Sequence, residues 1–151
     1  MTHLDQTTHA HGASPDPLAH GGWVGAHWPG TLMEATGMEV LEHTAARTVI
    51  SMPIDGNRQS AGILHGGASL ALAETVAGLG SMILCQPDEM MVGMQVSGNH
   101  VSSAHEGDTV RAVATVIHQG RSSHVWDVNI YTSTDKLVSS VRVVNSVMKK
   151  R

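Results

Sequence analysis

One apolar segment of helical length constrains this sequence more than any other feature. Residues 66–84 read GGASLALAETVAGLGSMIL, and Glu74 is the only charged side chain among them. A helix that is apolar nearly all round is expected to be buried on most sides. An ionised carboxylate is costly to bury alone, so Glu74 should be paired, neutral or functional. Glu74 is therefore the first candidate functional residue.

The composition fits one globular domain and argues against two classes of partner. The chain has 151 residues, 41% hydrophobic and 15% charged, with a formal net charge of −4. Its basic residues are scattered except at 149–151, so no basic face for nucleic acid is expected. Cys85 is the only cysteine, which excludes an intrachain disulfide and fits a reducing compartment. The N-terminus lacks the pattern of a signal peptide, and residues 66–84 are interpreted as a core helix, not a membrane span. We expect a cytoplasmic protein with no membrane partner.

The order of predicted elements indicates an α+β fold. Residues 1–21 are rich in His, Thr, Pro and Gly without periodicity, which predicts a disordered tail before a domain at 22–151. A short helix is expected with Pro29 near its first turn and Gly37 after its end. Strands are expected as a pair within 38–54 and at 90–101, 109–118, 123–132 and 137–148. An antiparallel sheet wrapped around one long central helix would bury residues 66–84 as their composition requires.

The HGG motif at 65–67 marks the expected start of the long helix. The first N–H groups of a helix have no internal partner, and glycine lets a ligand oxygen approach them. Gly66 is thus a candidate donor to a polarised carbonyl. Glu74 lies about 12 Å further along the helix, too far to share one reacting carbon with Gly66 of the same chain. If both act together, the site combines two subunits of a symmetric dimer. The alternative is a glutamate held by a buried Arg or by Ser and Thr.

Three segments carry a resemblance to a known family. QSAGILHGGASLALAET, NHVSSAHEGDTVRA and HQGRSSHVWDV are similar to segments of the hotdog-fold acyl-CoA thioesterases of the glutamate class, over roughly residues 30–148. That class includes 4-hydroxybenzoyl-CoA thioesterase and the phenylacetate-pathway and siderophore-pathway thioesterases. The resemblance implies a hotdog fold, hydrolysis of an aromatic or medium-chain acyl-CoA, and a homotetramer built as a dimer of hotdog dimers. It implies no metal and no cofactor beyond the coenzyme A of the substrate.

The resemblance also implies roles for individual residues. Glu74 would be the nucleophile or the general base, and Gly66 would donate its N–H to the thioester carbonyl. Gln59 would position the thioester, and His65 would orient the loop. Residues implied to bind substrate are His100 near the acyl group, Gly78 where the family has Ser or Thr, Met82 in the acyl pocket, and Arg121, Ser122 and Ser123 at coenzyme A. Capping, packing or solvent-exposed positions are the alternatives for His65, His100, the methionines and the 121–123 turn.

Two other functions remain open from the sequence. A hotdog enoyl-CoA hydratase would also take acyl thioesters, although the order of His65 and Glu74 does not resemble the motifs of such enzymes. A non-catalytic acyl-CoA-binding protein would keep the pocket without turnover. The presence of Glu74 favours the hydrolase over both.

Overall fold

The computed structural model describes residues 28–151, so the predicted tail at 1–21 and the boundary at 22 lie outside the described residues. The described residues form two helices and six strands: α1 Leu32–Ala35, β1 Glu39–His43, β2 Thr48–Pro53, α2 Gly66–Leu84, β3 Glu89–His100, β4 Thr109–Gln119, β5 Ser123–Tyr131 and β6 Leu137–Lys149. The strands make one sheet in the order β1-β2-β4-β5-β6-β3, and every neighbouring pair is antiparallel. The predicted α+β hotdog fold is confirmed.

Helix α2 packs against β2, β3, β4, β5 and β6, which curve around it. Its fully buried side chains include Leu72, Ala73, Val76 and Ala77. Because the sheet covers one side of the helix, the apolar residues on that side become core. The expected burial on most sides is not reached within the described residues. By length and composition alone α2 would also qualify as a membrane-spanning helix. Its packing within the described residues is that of the central helix of a folded domain.

The strands agree closely with the sequence prediction, whereas the short helix differs. Helix α1 begins at Leu32 after Thr31, so Pro29 precedes it instead of lying in its first turn. The Thr31 N–H donates to the Trp28 carbonyl and closes a turn there, which delays the helix. Gly37 follows α1 with a positive φ of 69°, the conformation that glycine adopts most easily.

A buried polar contact fixes the second half of α2 on the sheet. The Ser81 hydroxyl accepts hydrogen bonds from Trp126 Nε1 at 2.8 Å and Asn145 Nδ2 at 2.9 Å. Asn145 Nδ2 also donates to the Ala77 carbonyl at 3.1 Å. Gly80 lies beneath the same indole, and a Cβ placed there would lie 2.5 Å from the ring. The rotation of α2 on the sheet is therefore set by specific contacts as well as by apolar burial.

Strand β3 forms one edge of the sheet and is largely exposed along its length. Met90, Val92 and Met94 on this strand are 42%, 37% and 63% exposed. A bulge lies between Gly93 and Gln95, so Met94 has no partner in the pairing with β6. A long apolar edge strand offers backbone groups to another chain.

Candidate active site

The loop that leads into α2 is held by hydrogen bonds at both ends. Asn57 Nδ2 donates to the carbonyls of Thr36 and Pro53 at 2.7 and 2.8 Å. The Leu64 N–H donates to the Ala104 carbonyl, and the His65 N–H to the Asn57 carbonyl, each at 2.9 Å. These bonds fix the direction in which the chain enters the helix. The HGG motif is therefore placed by a rigid loop.

His65 caps the N-terminus of α2. The Gly67 N–H donates to His65 Nδ1 at 2.8 Å, and the Ser69 N–H donates to the His65 carbonyl at 3.1 Å. No acceptor within residues 28–151 meets the N–H of Gly66. The cap thus satisfies the N–H groups of Gly67 and Ser69. It leaves the Gly66 N–H without an acceptor among the described residues, at the positive end of the helix dipole. His65 orients the helix terminus, while its ring does not line the adjoining cavity.

A cavity of about 330 Å³ opens beside the helix N-terminus. Gln59, Gly66 and His100, all singled out from the sequence, lie in its wall, together with Ser139 and apolar residues such as Ile63 and Val138. The structure therefore brings these three predicted residues together within one chain. The cavity combines backbone and side-chain donors with apolar walls, as small-ligand sites commonly do.

His100 lies directly over Gly66. A Cβ placed on Gly66 would lie 2.6 Å from His100 Nε2, so only glycine leaves room for the ring. On its other side, His100 Nδ1 is 2.8 Å from the Ser139 hydroxyl. The sequence did not single out Ser139, because a serine within a strand carries no local sign of a functional role. Only the register of β3 with β6, in which His100 is opposite Ser139, identifies it.

Glu74 lies apart from this cavity, at the exposed edge of the sheet. Its Oε1 is 2.6 Å from the position that a Cβ on Gly93 would take, so the carboxylate lies flat against β3. The Glu74 side chain is exposed within the described residues, which corrects the expectation that its own chain buries it. Among the described residues, β3 is the last strand of the sheet, so no further strand covers α2 beside Glu74. Gly93 is a second contact that the sequence alone did not reveal.

The two groups of residues are well separated within one chain. Gly66 contacts His100 at the end of β3, whereas Glu74 contacts Gly93 in its middle. At the usual rise of a strand these two points of β3 are roughly 20 Å apart. A thioester carbonyl beside Gly66 is therefore out of reach of the Glu74 carboxylate of the same chain. This separation is larger than the roughly 12 Å estimated from helix rise, and both distances lead to the same conclusion.

Gly78 and Met82 lie on the part of α2 beyond Glu74. A Cβ on Gly78 would meet the Met91 methyl group at 3.4 Å, so the end of a methionine already borders the position at which the resemblance implies Ser or Thr. Met82 is half-buried and packs against the core. Its part in an acyl pocket stays a prediction.

The turn at 121–123 lies far from Gly66 of the same chain. Arg121 and Ser122 are exposed and Ser123 is half-buried; the Ser122 carbonyl accepts the Val147 N–H at 2.9 Å. Ser123 is paired with Ser146 on β6, roughly 20 Å along that strand from Ser139. Within a single chain, this turn and the cavity do not form one site. Among residues 28–151, no cluster of three His, Cys, Asp or Glu side chains could hold a metal ion.

The wrapped sheet, its central helix and the glycine-rich helix terminus beside a cavity define a protein of the hotdog-fold class. Comparison with known proteins agrees: residues 61–139 match the model of the thioesterase superfamily. ComA2 of Bacillus subtilis is 42% identical over 80% of this chain and 96% of that relative. The 1,4-dihydroxy-2-naphthoyl-CoA hydrolase of Listeria monocytogenes is 36% identical over 80% and 98%. A crystal structure of a thioesterase from Haemophilus influenzae superimposes with a TM-score of 0.76 at 32% identity, over 80% and 84% of the chains. The chain belongs to the thioesterase superfamily and is a thioester hydrolase.

Proposed function

We propose that this protein is an acyl-CoA thioesterase of the glutamate class, which hydrolyses aromatic or medium-chain acyl-CoA to the free acid and coenzyme A. The relative from Listeria monocytogenes is named for an aromatic acyl-CoA, which supports this substrate class. The observation that carries the proposal is the exposed carboxylate of Glu74, on an otherwise apolar helix whose free N-terminus borders a cavity. Among residues 28–151, no hydrogen bond or ion pair accounts for a glutamate at that position.

A second copy of the chain would complete the site. The long edge strand β3 exposes Met90, Val92 and Met94 next to Glu74, and such an edge is suited to pair with the same edge of another copy. Pairing about a two-fold axis would cover Glu74 and bring it towards the Gly66 end of the partner. The separation of the two groups within one chain requires an arrangement of this kind, if both act on one carbonyl.

The chemistry then follows from the two groups. The Gly66 N–H, at the positive end of α2, stabilises negative charge on the thioester oxygen. Glu74 acts as a base on water or attacks the carbonyl carbon itself. The carbon–sulfur bond breaks, and coenzyme A leaves as a thiolate that takes up the proton lost by water. When Glu74 is the nucleophile, water then cleaves the acyl–Glu74 anhydride, which releases the acid and regenerates the carboxylate. Gln59, in the cavity wall, offers an amide that orients the thioester at any physiological pH.

The test is release of free thiol from benzoyl-, 4-hydroxybenzoyl-, phenylacetyl-, hexanoyl- and palmitoyl-CoA. The Glu74→Gln variant keeps the shape of the side chain and removes its charge, and we expect it to lose at least about a hundredfold in kcat. Glu39→Gln is the matched control, because Glu39 is an exposed glutamate on β1 at the opposite edge of the sheet. It should retain wild-type turnover.

Full activity in Glu74→Gln would overturn the role of Glu74. Binding of every acyl-CoA without thiol release by the wild type would overturn the hydrolase proposal. Turnover of the palmitoyl ester alone would contradict the proposed substrate class.

A further inference from the structure

Ser139 is a buried hydroxyl whose contact lies at the candidate site. Its side chain is fully buried on β6, and its Oγ is 2.8 Å from His100 Nδ1. Within residues 28–151, Oγ has no other side-chain or backbone partner. The two residues are direct cross-strand neighbours of β3 and β6. The imidazole ring is thus held by Ser139 at Nδ1, while Nε2 lies beside Gly66 at the cavity that both residues line.

The hydrogen bond to Ser139 also selects which ring nitrogen carries the hydrogen of a neutral imidazole. If Nδ1 carried it, Nδ1 would donate to Oγ, and the hydroxyl hydrogen would be buried without an acceptor among the described residues. Leaving a buried donor unpaired costs about 1–3 kcal/mol. If the Ser139 hydroxyl donates to Nδ1, both groups are satisfied, and Nε2 carries the ring hydrogen.

We propose that Ser139 is a positioning residue, which holds His100 in the Nε2–H form and aims that N–H into the cavity beside the Gly66 N–H. Two donors then converge on one point of the cavity wall. This inference rests on the proposed function, in which that point receives the thioester oxygen. Two donors stabilise a developing oxyanion better than one, and they do so most effectively when fixed in advance.

The close contact of His100 with Gly66 supports the same arrangement. A side chain at Gly66 would meet both Nε2 and the neighbouring ring carbon at under 3.0 Å. The ring cannot swing away freely, because its other nitrogen is bonded to Ser139. Glycine at position 66 is therefore needed for the histidine as well as for the approach of a ligand.

The kinetic test is a double-mutant cycle on thiol release, using Ser139→Ala, His100→Ala and the double variant, each with verified folding. Loss of a whole oxyanion donor in His100→Ala should lower kcat about a hundredfold. Misplacement of the ring in Ser139→Ala should lower kcat about tenfold, with KM changed less than about threefold. In the His100→Ala background, Ser139→Ala should have no further effect, because its action passes through the ring.

Two controls separate positioning from a merely structural role. Ser140→Ala changes the next serine of β6, which is exposed, and should leave kcat unchanged. Ser139→Thr keeps the hydroxyl and should recover most of the lost kcat; Ser139→Cys is the smaller alternative if threonine impairs folding, and should recover part of it. Equal losses from Ser139→Ala with and without His100 would overturn the proposal.

A measurement independent of catalysis reports on the ring itself. Nitrogen-15 NMR of histidine-labelled wild type should show His100 as the Nε2–H form, with Nδ1 as an acceptor. An Nδ1–H form would overturn the proposal even in an active enzyme. Absence of thiol release from the wild type, together with the Nε2–H form, would instead refute the proposed function and leave the positioning by Ser139 standing.

Discussion

At the scale of a residue, Glu74 is unusual in the sequence but has an ordinary, exposed position in the folded chain. In the sequence it is a lone charge in an apolar helix. In the structure it is exposed beside Gly93, so the single chain does not bear the cost of burying it. Any desolvation that sharpens its basicity has to come from substrate or from a second copy. In the proposed mechanism, its function is therefore a property of an assembled site.

His124 gives a prediction on pH dependence. Burial lowers the pKa of His124 below its ordinary value of 6.5; Glu89 opposes this shift and His118 reinforces it. Below pH 6.5 the unfolded chain takes up a proton at this position before the folded chain does, so folding stability should decrease as the pH falls. We expect the free energy of unfolding, measured in urea, to decrease from pH 7 to pH 5, and His124→Asn to flatten that decrease.

The matched control is His105→Asn, which changes an exposed histidine. The lowered pKa values of Asp88 and Asp108 act in a separate range, since stability from these groups is lost only as the pH falls below their ordinary value of 3.8. An unchanged slope in His124→Asn would show that other groups carry the pH dependence.

At the scale of an element, two glycines of α2 have different surroundings, and only one of them is required by a close contact. Gly80 lies under Trp126, whose ring is fixed by its bond to Ser81, so a Cβ there would collide. Gly78 borders only the flexible end of Met91 at 3.4 Å. The sequence shows both as interruptions of an apolar run and cannot tell them apart.

Alanine at these two positions should change stability in opposite directions. Gly80→Ala should lower the free energy of unfolding by about 1–3 kcal/mol, because the indole cannot move aside. Gly78→Ala should raise it by about 0.5–1 kcal/mol, since alanine is the better helix former. Chemical denaturation of both variants measures the difference. Equal destabilisation would contradict the contacts described for Gly78.

At the scale of the whole molecule, the proposed site needs two chains, and that requirement can be tested by complementation. Glu74→Gln removes the carboxylate, while Gly66→Ala places a Cβ against the His100 ring. Each variant alone should release thiol at least about a hundredfold more slowly than wild type. Co-expressed with different tags, the two should form mixed dimers with one intact site each.

The mixed dimers should show about half of the wild-type activity per dimer, and an unfractionated equal mixture about a quarter. Dimers formed by each variant alone serve as controls. Mixed dimers with no recovered activity would show that Gly66 and Glu74 do not act in one site across two chains.

The sequence by itself determined the element order and the chemistry-bearing motif. An apolar helical run, alternating strands and turn residues are local patterns, and each reports its own backbone periodicity. Helix α2 and the four long strands accordingly lie within about two residues of their predicted bounds. Gly66 and Glu74 stood out for their place in the apolar helix, whereas Gln59 was implied only by the family resemblance. The start of α1 was missed because a turn hydrogen bond, not the proline, sets it.

Only the tertiary structure decided which distant residues meet. The strand order places β3 at an edge, which leaves Glu74 exposed and separates it from the cavity. The register of β3 with β6 puts Ser139 under His100, and the absence of a side chain at Gly93 leaves room for the Glu74 carboxylate. Register and strand order depend on contacts between segments that are far apart in the chain, so no local pattern encodes them.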